Sequence, residues 1–336
     1  MQELHAHLNG SISEETMRKL LSRRNGPTAD TKMMFDKGQT ATLEDCFNMF
    51  KLIHQVTVDT ESVYMVACDV IREFAADNVK YLELRSTPRE VVATGMTKEK
   101  YIEAILQAMK DCEKENLDII VKLILAIDRR NGVKVAMETV NLAAKYRESS
   151  AGRVVGIDLS GDPKVGDGCD FIPAFQAAKA KGLKLALHLA EVPAVEETKE
   201  ILQIVPDRIG HGTCLHTEAG GSQDLVDLVT HHQIPIELCL TSNVIGQTVP
   251  HFDNHQFKFW YAKNHPCVIC TDDKGVFNTT LSNEYSIASR TFSLDERTLY
   301  QLSLQSIQYI FADDSVKADL KSRWKTWEAE RFPITT

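Results

Sequence analysis

Leu185-Ala186-Leu187-His188-Leu189-Ala190-Glu191 is a short apolar run that finishes in a histidine and a carboxylate, and a stretch of helical period, Phe171 to Lys181, precedes it. The same unit recurs in both directions along the chain. Apolar, β-rich runs stand at Glu3 to His7, Val79 to Leu84, Ile119 to Ile127, Val154 to Leu159, Leu183 to Leu187, Arg208 to His211, Ile236 to Leu240 and Val268 to Thr271. Between them lie longer stretches such as Thr42 to Val56, where Leu43, Cys46, Phe47, Phe50 and Ile53 recur at helical spacing. Thr97 to Glu115, Val133 to Arg147 and Leu225 to His232 follow the same pattern. Alternation of this kind marks parallel βαβ units, and strands apolar on both faces are strands enclosed by helices. The expected fold is therefore α/β, a (β/α)8 TIM barrel. Extra helices are expected after the first strand, in a long insert over residues 12–78 placed to roof the site. Others follow the last strand, around Ser282 to Arg290, Asp295 to Phe311 and Ser315 to Glu330. No Pro/Gly/Ser-rich linker divides the chain, so residues 1–336 are read as one domain.

Composition narrows the function. A net charge of −9 argues against a surface for polymeric nucleic acid or anionic lipid, both of which need a basic face. No apolar run approaches a membrane span, and Met1-Gln2-Glu3-Leu4-His5 does not resemble a secretory signal. The 8 cysteines are scattered among apolar neighbours, as buried reduced thiols are. These features lead to the expectation of a cytosolic, monomeric enzyme with a small-molecule substrate.

Barrel enzymes place their chemistry at the carboxyl ends of strands, so polar residues that finish apolar runs are the candidates. Alternate residues of a strand face one side, and His5 and His7 can therefore reach one metal. His188 suits a third ligand. Glu191 is either a proton donor or an ordinary carboxylate at a helix start. In Arg208-Ile209-Gly210-His211-Gly212 a histidine stands between glycines that would let a substrate come close. Asp272 and Asp273 are adjacent acids whose repulsion a cation or a proton would relieve. Ile157-Asp158-Leu159-Ser160-Gly161-Asp162 adds a turn whose Gly161 can offer a backbone N–H. Three histidines and an aspartate form a donor set suited to Zn²⁺ with room for a water.

Two other motifs are rejected. His216-Thr217-Glu218 with Pro266-Cys267-Val268-Ile269-Cys270 imitates a deaminase signature that needs helix starts, but Cys267 begins an apolar strand. His251 and His255 have helical metal spacing, but Pro250 and Asp253-Asn254 mark a loop.

With these residues assembled, the sequence resembles the adenosine deaminase family, and within it the adenosine deaminase-like branch that acts on N6-methyl-AMP. ELHAHLNGSI, YLELRSTPR, GIDLSGDP, LALHLAEVP, RIGHGT, ELCLTSN and ICTDDKGVF occur in the family's order over nearly the whole chain. The chain opens close to the first of these segments, without the lead-in that family members carry before it. The resemblance implies that His5, His7, His188 and Asp272 hold one zinc ion and that Glu191 donates a proton to purine N1. It implies further that His211 activates or orients the water, that Asp273 bonds N7 and that the Gly161 N–H binds N3. Adenosine deaminases proper carry an aspartate where this chain has Asn9, at the ribose 5′ position. A carboxylate there would repel a 5′-phosphate, whereas an amide can donate to it. The resemblance therefore favours hydrolytic removal of the C6 amine from N6-methyl-AMP and other N6-substituted purine monophosphates, giving IMP. Adenosine, AMP or another cyclic C–N substrate is the alternative. His54, Ser86, Thr87, Pro88, Arg89 and Asp128 would line the phosphate region, with Arg89 and His54 as donors. His54, beside Phe50 and Ile53, is equally well read as a core histidine.

Overall fold

The computed structural model describes residues 1–23 and 43–333. Eight strands, β1 (Gln2–His7), β2 (Tyr81–Ser86), β3 (Ile120–Asp128), β4 (Val154–Ser160), β5 (Lys184–Leu189), β6 (Arg208–His211), β7 (Ile236–Leu238) and β8 (Cys267–Ile269), pair in sequence order. Every pairing is parallel. The sheet curls until its ends meet: the His7 N–H donates to the Asp272 carbonyl (3.0 Å) and the Asp272 N–H to the His5 carbonyl (2.8 Å). All eight expected runs become strands. β8 stops at Ile269, because the chain beyond it turns to the barrel mouth, and Leu240 opens a helix instead of extending β7.

The helices are α1 (Glu14–Arg23), α2 (Leu43–Val56), α3 (Thr60–Ala76), α4 (Lys98–Lys114), α5 (Gly132–Ser149), α6 (Ile172–Ala180), α7 (Val195–Leu202), α8 (Gln223–His231), α9 (Leu240–Ile245), α10 (Phe257–Ala262), α11 (Leu281–Phe292), α12 (Glu296–Ser306) and α13 (Asp314–Arg331). Their starts follow side-chain caps where the sequence supplies them: Asp59 accepts from the Ser62 N–H, Thr97 from Lys100 and Ser222 from Leu225. α4 buries Ile102, Ile105 and Met109 against the barrel, as its helical spacing demands. Among the described residues no helix is long and apolar enough to cross a membrane.

The 12–78 insert divides in two. α3 packs along α4 in the outer ring, so it is barrel wall and not roof. α2 reaches the mouth, since its Cys46 lies within electrostatic range of Asp273. Residues 24–42 of the insert lie outside the described residues. The C-terminal helices finish the barrel at the opposite end, where Arg208 donates to the Tyr309 carbonyl (2.7 Å) and stacks on Phe311 (3.6 Å to the ring centroid).

The lumen is charged. Arg85 of β2 bonds Glu237 of β7 (2.8 Å), and Arg208 of β6 bonds Glu237 (2.6 Å) and Glu83 of β2. Two of these pairs join strands that are not neighbours, so the contacts cross the barrel interior, and all four side chains are fully buried. A buried ion left without its partner costs about 3–5 kcal/mol, far more than an exposed pair contributes. Arg208→Met should therefore lower unfolding free energy by about 3–5 kcal/mol in urea titration, since Glu83 and Glu237 both lose a cation.

Candidate active site and metal centre

At the carboxyl ends of β1, β5 and β8, four donor atoms converge. His188 Nε2 lies 3.1 Å from His5 Nε2 and 3.1 Å from His7 Nε2. Asp272 Oδ1 lies 3.3 Å from each of the nitrogens of His5 and His7. Neighbouring donors around a cation with bonds of about 2.0–2.1 Å stand on the order of 3 Å apart, as these four separations do, so the set is placed to share one ion. Burial holds His7 and His188 far below the usual histidine range, which leaves their lone pairs free. Burial also opposes charge on His5, but Asp272 and Glu237 outweigh it and raise its pKa to about 9.

The far ring nitrogens are fixed from behind. His5 Nδ1 meets Glu237 Oε2 (2.7 Å), itself anchored by both arginines, and His188 Nδ1 meets Asp158 Oδ1 (2.8 Å). Ser242 Oγ donates to Asp272 Oδ2 (2.6 Å), which leaves Oδ1 to face the histidines. Carboxylates behind ligand histidines orient the rings and raise their basicity. Asp272 also takes a left-handed backbone (φ 62°), as do His211 (φ 63°) and Ala190 (φ 52°), three strand ends bent at one place. Such conformations cost on the order of 1 kcal/mol or more each and gather at functional sites.

His211 sits beside the donor set: its Nε2 is 3.8 Å from both Asp272 Oδ2 and Glu191 Oε2. Burial and the Asp272 charge push Glu191 up to about 8, so it is largely protonated at neutral pH. Burial lowers His211 to about 3 and keeps it neutral. Asp273 is raised well above the carboxylate range by burial and by Asp272, and its Oδ1 is buried without a hydrogen-bond partner. Only glycine fits at position 10, where a Cβ would stand 1.6 Å from Asp273 Oδ1. Gly161 turns with φ +96° beside the Asp128 carboxylate.

A second cluster forms around Tyr101. Its hydroxyl meets Ser86 Oγ (2.7 Å) and accepts from Asn9 Nδ2 (3.4 Å), while the Arg89 guanidinium lies 5.9 Å from its ring centroid. Arg89 is held by the Thr57 carbonyl (2.6 Å) and hydroxyl (2.7 Å), and its Nε has no partner. Thr87 is half-buried and Pro88 buried between Ser86 and Arg89. His54 is exposed, which removes the core reading: Ile53 faces inward and His54 points away. Partial desolvation and the charges of Arg89 and Arg130 lower its pKa, so it belongs to this cationic edge, where Arg130 is paired with Asp128.

The glycines around His211 are required by close packing within the protein. A Cβ on Gly210 would stand 2.9 Å from the His5 ring, and one on Gly212 would stand 2.7 Å from Leu215. Sequence reasoning missed Asp158, Glu237, Arg85, Ser242, Asn243 and Tyr101. Asp158 and Glu237 carried a signal, a charged residue inside an apolar strand; Tyr101, at a helix start, carried none. His216 and Cys267 to Cys270 form no joint site: His216 stacks on Phe259, and both cysteines are buried. His255 is buried and bonds Asn243, not a metal set with His251.

A parallel barrel with imidazole and carboxylate donors gathered at its carboxyl mouth defines a metal-dependent barrel hydrolase. The chain belongs to the adenosine deaminase family, which it matches over residues 1–327, and is a hydrolytic deaminase acting on a purine ring amine. It is 56% identical over 324 residues to the N6-methyl-AMP deaminases of Danio rerio and Homo sapiens, a match spanning 96% of this chain and 93% and 91% of theirs. The crystal structure of the Arabidopsis N6-mAMP deaminase superposes with a TM-score of 0.88 at 38% identity, covering 97% of each chain. The Arabidopsis ADAL structure complexed with IMP is similar at a TM-score of 0.88 and 38% identity, covering 98% of this chain and 97% of that one.

His7→Ala removes one of the four donors and should leave the chain without stoichiometric metal after dialysis. Asp273→Asn should keep the metal, and elemental analysis of both variants separates the two roles.

Proposed function

We propose that the chain is a zinc-dependent N6-methyl-AMP deaminase, hydrolysing the C6 amine of N6-substituted purine nucleoside monophosphates to IMP. Its resemblance in sequence to N6-methyl-AMP deaminases supports this, and one local observation carries it. At the 5′ position stands Asn9, a neutral amide sharing Tyr101 with Ser86 and Arg89, and the Arg89 charge reaches His54 as well. An amide that shares Tyr101 with the Arg89 cation welcomes a phosphate dianion where a carboxylate would repel it.

In this reading His5, His7, His188 and Asp272 hold the zinc. When bound, zinc lowers the pKa of a water toward about 7 and so supplies hydroxide at neutral pH. The chain's own residues do the rest. Glu191, protonated, gives its proton to N1 as water oxygen adds to C6, which draws electrons away from the reacting carbon. Asp273 donates to N7 from its otherwise unpartnered carboxyl, and the Gly161 N–H meets N3. His211 orients the attacking water. Collapse of the tetrahedral carbon forms a C6–O double bond and breaks the C6–N bond, as the hydroxyl proton passes by way of the Glu191 carboxylate to the amine, which leaves as methylamine. Arg89, His54, Ser86 and Asn9 hold the phosphate, with Thr87, Pro88 and Asp128 shaping its edge.

The 8 cysteines are free, in keeping with a reducing, cytosolic compartment. Among the described residues the exposed large apolar side chains, including Val92, Val165 and Trp327, lie on separate stretches of the chain, in keeping with a monomer.

Turnover of N6-methyl-AMP, AMP and adenosine by the metal-loaded protein tests the substrate. N6-methyl-AMP should have the highest kcat/KM, and Asn9→Asp should shift preference toward the nucleoside; adenosine as the best substrate of the parent chain overturns the reading. Glu191→Gln should cut kcat on the order of 10²-fold or more with metal retained. The parent's rate should fall as pH rises through about 8, where Glu191 loses the proton it donates.

A further inference from the structure

We infer that Asn243 and His255 are positioning residues that hold His211 as its Nε2–H tautomer, so that His211 gives a hydrogen bond to the attacking oxygen and does not take its proton. The inference rests on the deaminase reading for what His211 faces, and on hydrogen-bond direction for the tautomer itself. The tautomer of a buried histidine is ordinarily ambiguous, because either ring nitrogen can carry the hydrogen. Here a peptide group of one fixed polarity settles it from behind.

The Phe257 backbone N–H donates to His255 Nδ1 at 3.1 Å, and a peptide N–H can only donate. His255 Nδ1 is therefore bare. Burial and the neighbouring His211 lower the His255 pKa to about 3, so the ring is neutral and its hydrogen is on Nε2. That Nε2–H donates to Asn243 Oδ1 at 2.9 Å. Gln256 Nε2 donates to the same oxygen at 3.1 Å, and its own polarity is fixed because it also meets the His211 carbonyl, which can only accept, at 3.2 Å.

Asn243 Oδ1 thus receives two donors, and turning the amide round would set its NH₂ against both. Its Nδ2 therefore faces His211 Nδ1, at 3.2 Å, and donates to it. His211 keeps its hydrogen on Nε2, the atom 3.8 Å from Glu191 Oε2 and from Asp272 Oδ2. Both distances exceed a hydrogen bond, so this N–H serves an oxygen that sits between them. Had His211 to act as a base through Nε2, its Nδ1–H would point at the Asn243 NH₂. A donor fixed in place before reaction stabilises charge that develops on the attacking oxygen at no reorganisation cost.

The test is histidine ¹³C/¹⁵N NMR of the zinc-loaded protein, with the His211 resonances assigned by their loss in His211→Gln. The parent should show His211 as Nε2–H. Asn243→Asp presents only acceptors, so it should draw the hydrogen to Nδ1 and lower kcat on the order of 10²-fold while KM changes much less. A His211 found as Nδ1–H in the parent overturns the proposal, whether or not the Asn243 variant folds. So does an Asn243→Asp enzyme in which the hydrogen moves and kcat is unaltered. A parent chain that turns over no purine monophosphate overturns the deaminase reading instead, and the spectrum still reports the tautomer.

Discussion

Three imidazole nitrogens and a carboxylate oxygen, with His188 and Asp272 each held 3.1–3.3 Å from both His5 and His7, are the contact on which the remainder of this structure turns. Left to itself such a group would spread, because polar side chains crowded this closely lose their water. The barrel prevents it. The two backbone hydrogen bonds that close the sheet, from His7 to Asp272 and from Asp272 to His5, are made by three of the four donor residues. Closing the fold and assembling the centre are one event, and the left-handed bend at Asp272 is the strain it stores.

A second consequence is the charged lumen. Histidines set to face a cation need acceptors behind them to fix their rings, so Glu237 and Asp158 must be buried, and buried carboxylates need cations. Arg85 and Arg208 supply these across the barrel, and Tyr309 and Phe311 seal the far end around Arg208. Stability and catalysis thus share residues, and the ions at the barrel's centre act as support for the mouth and not as an ordinary core. Electrostatics also divides the three acids of the site. Asp272 is held anionic by the histidines around it, while Glu191 and Asp273, facing that anion in a buried setting, are pushed toward their protonated forms. One carboxylate suits a cation and two carboxylic acids suit ring nitrogens.

Much of this arrangement is legible in the amino-acid sequence. Eight apolar runs alternating with helical stretches become the eight strands, because strands enclosed by helices leave an uninterrupted apolar signature. His5, His7, His188, His211, Asp272, Glu191 and Asp273 come together because each ends or closely follows a strand, a position that sequence can mark. The misses share a cause. Arg85, Asp158 and Glu237 look like interruptions of strands until the lumen pairs them, and Tyr101 joins Asn9, Ser86 and Arg89 from a helix start that carries no pattern. His54 needed side-chain exposure to leave the core reading, and α3 needed tertiary packing to be placed in the wall. Polar contacts between distant segments are set by closure of the barrel, not by local spacing.

The central claim is that one ion occupies the point on which these four donors converge. Anomalous diffraction from a crystal of the metal-loaded protein measures it directly. The account predicts a single strong peak per chain within ligand distance of the Nε2 atoms of His5, His7 and His188 and of Asp272 Oδ1, with His211 outside the first sphere. A peak bound by His211 in place of His7, or one lying away from the barrel mouth, would contradict it.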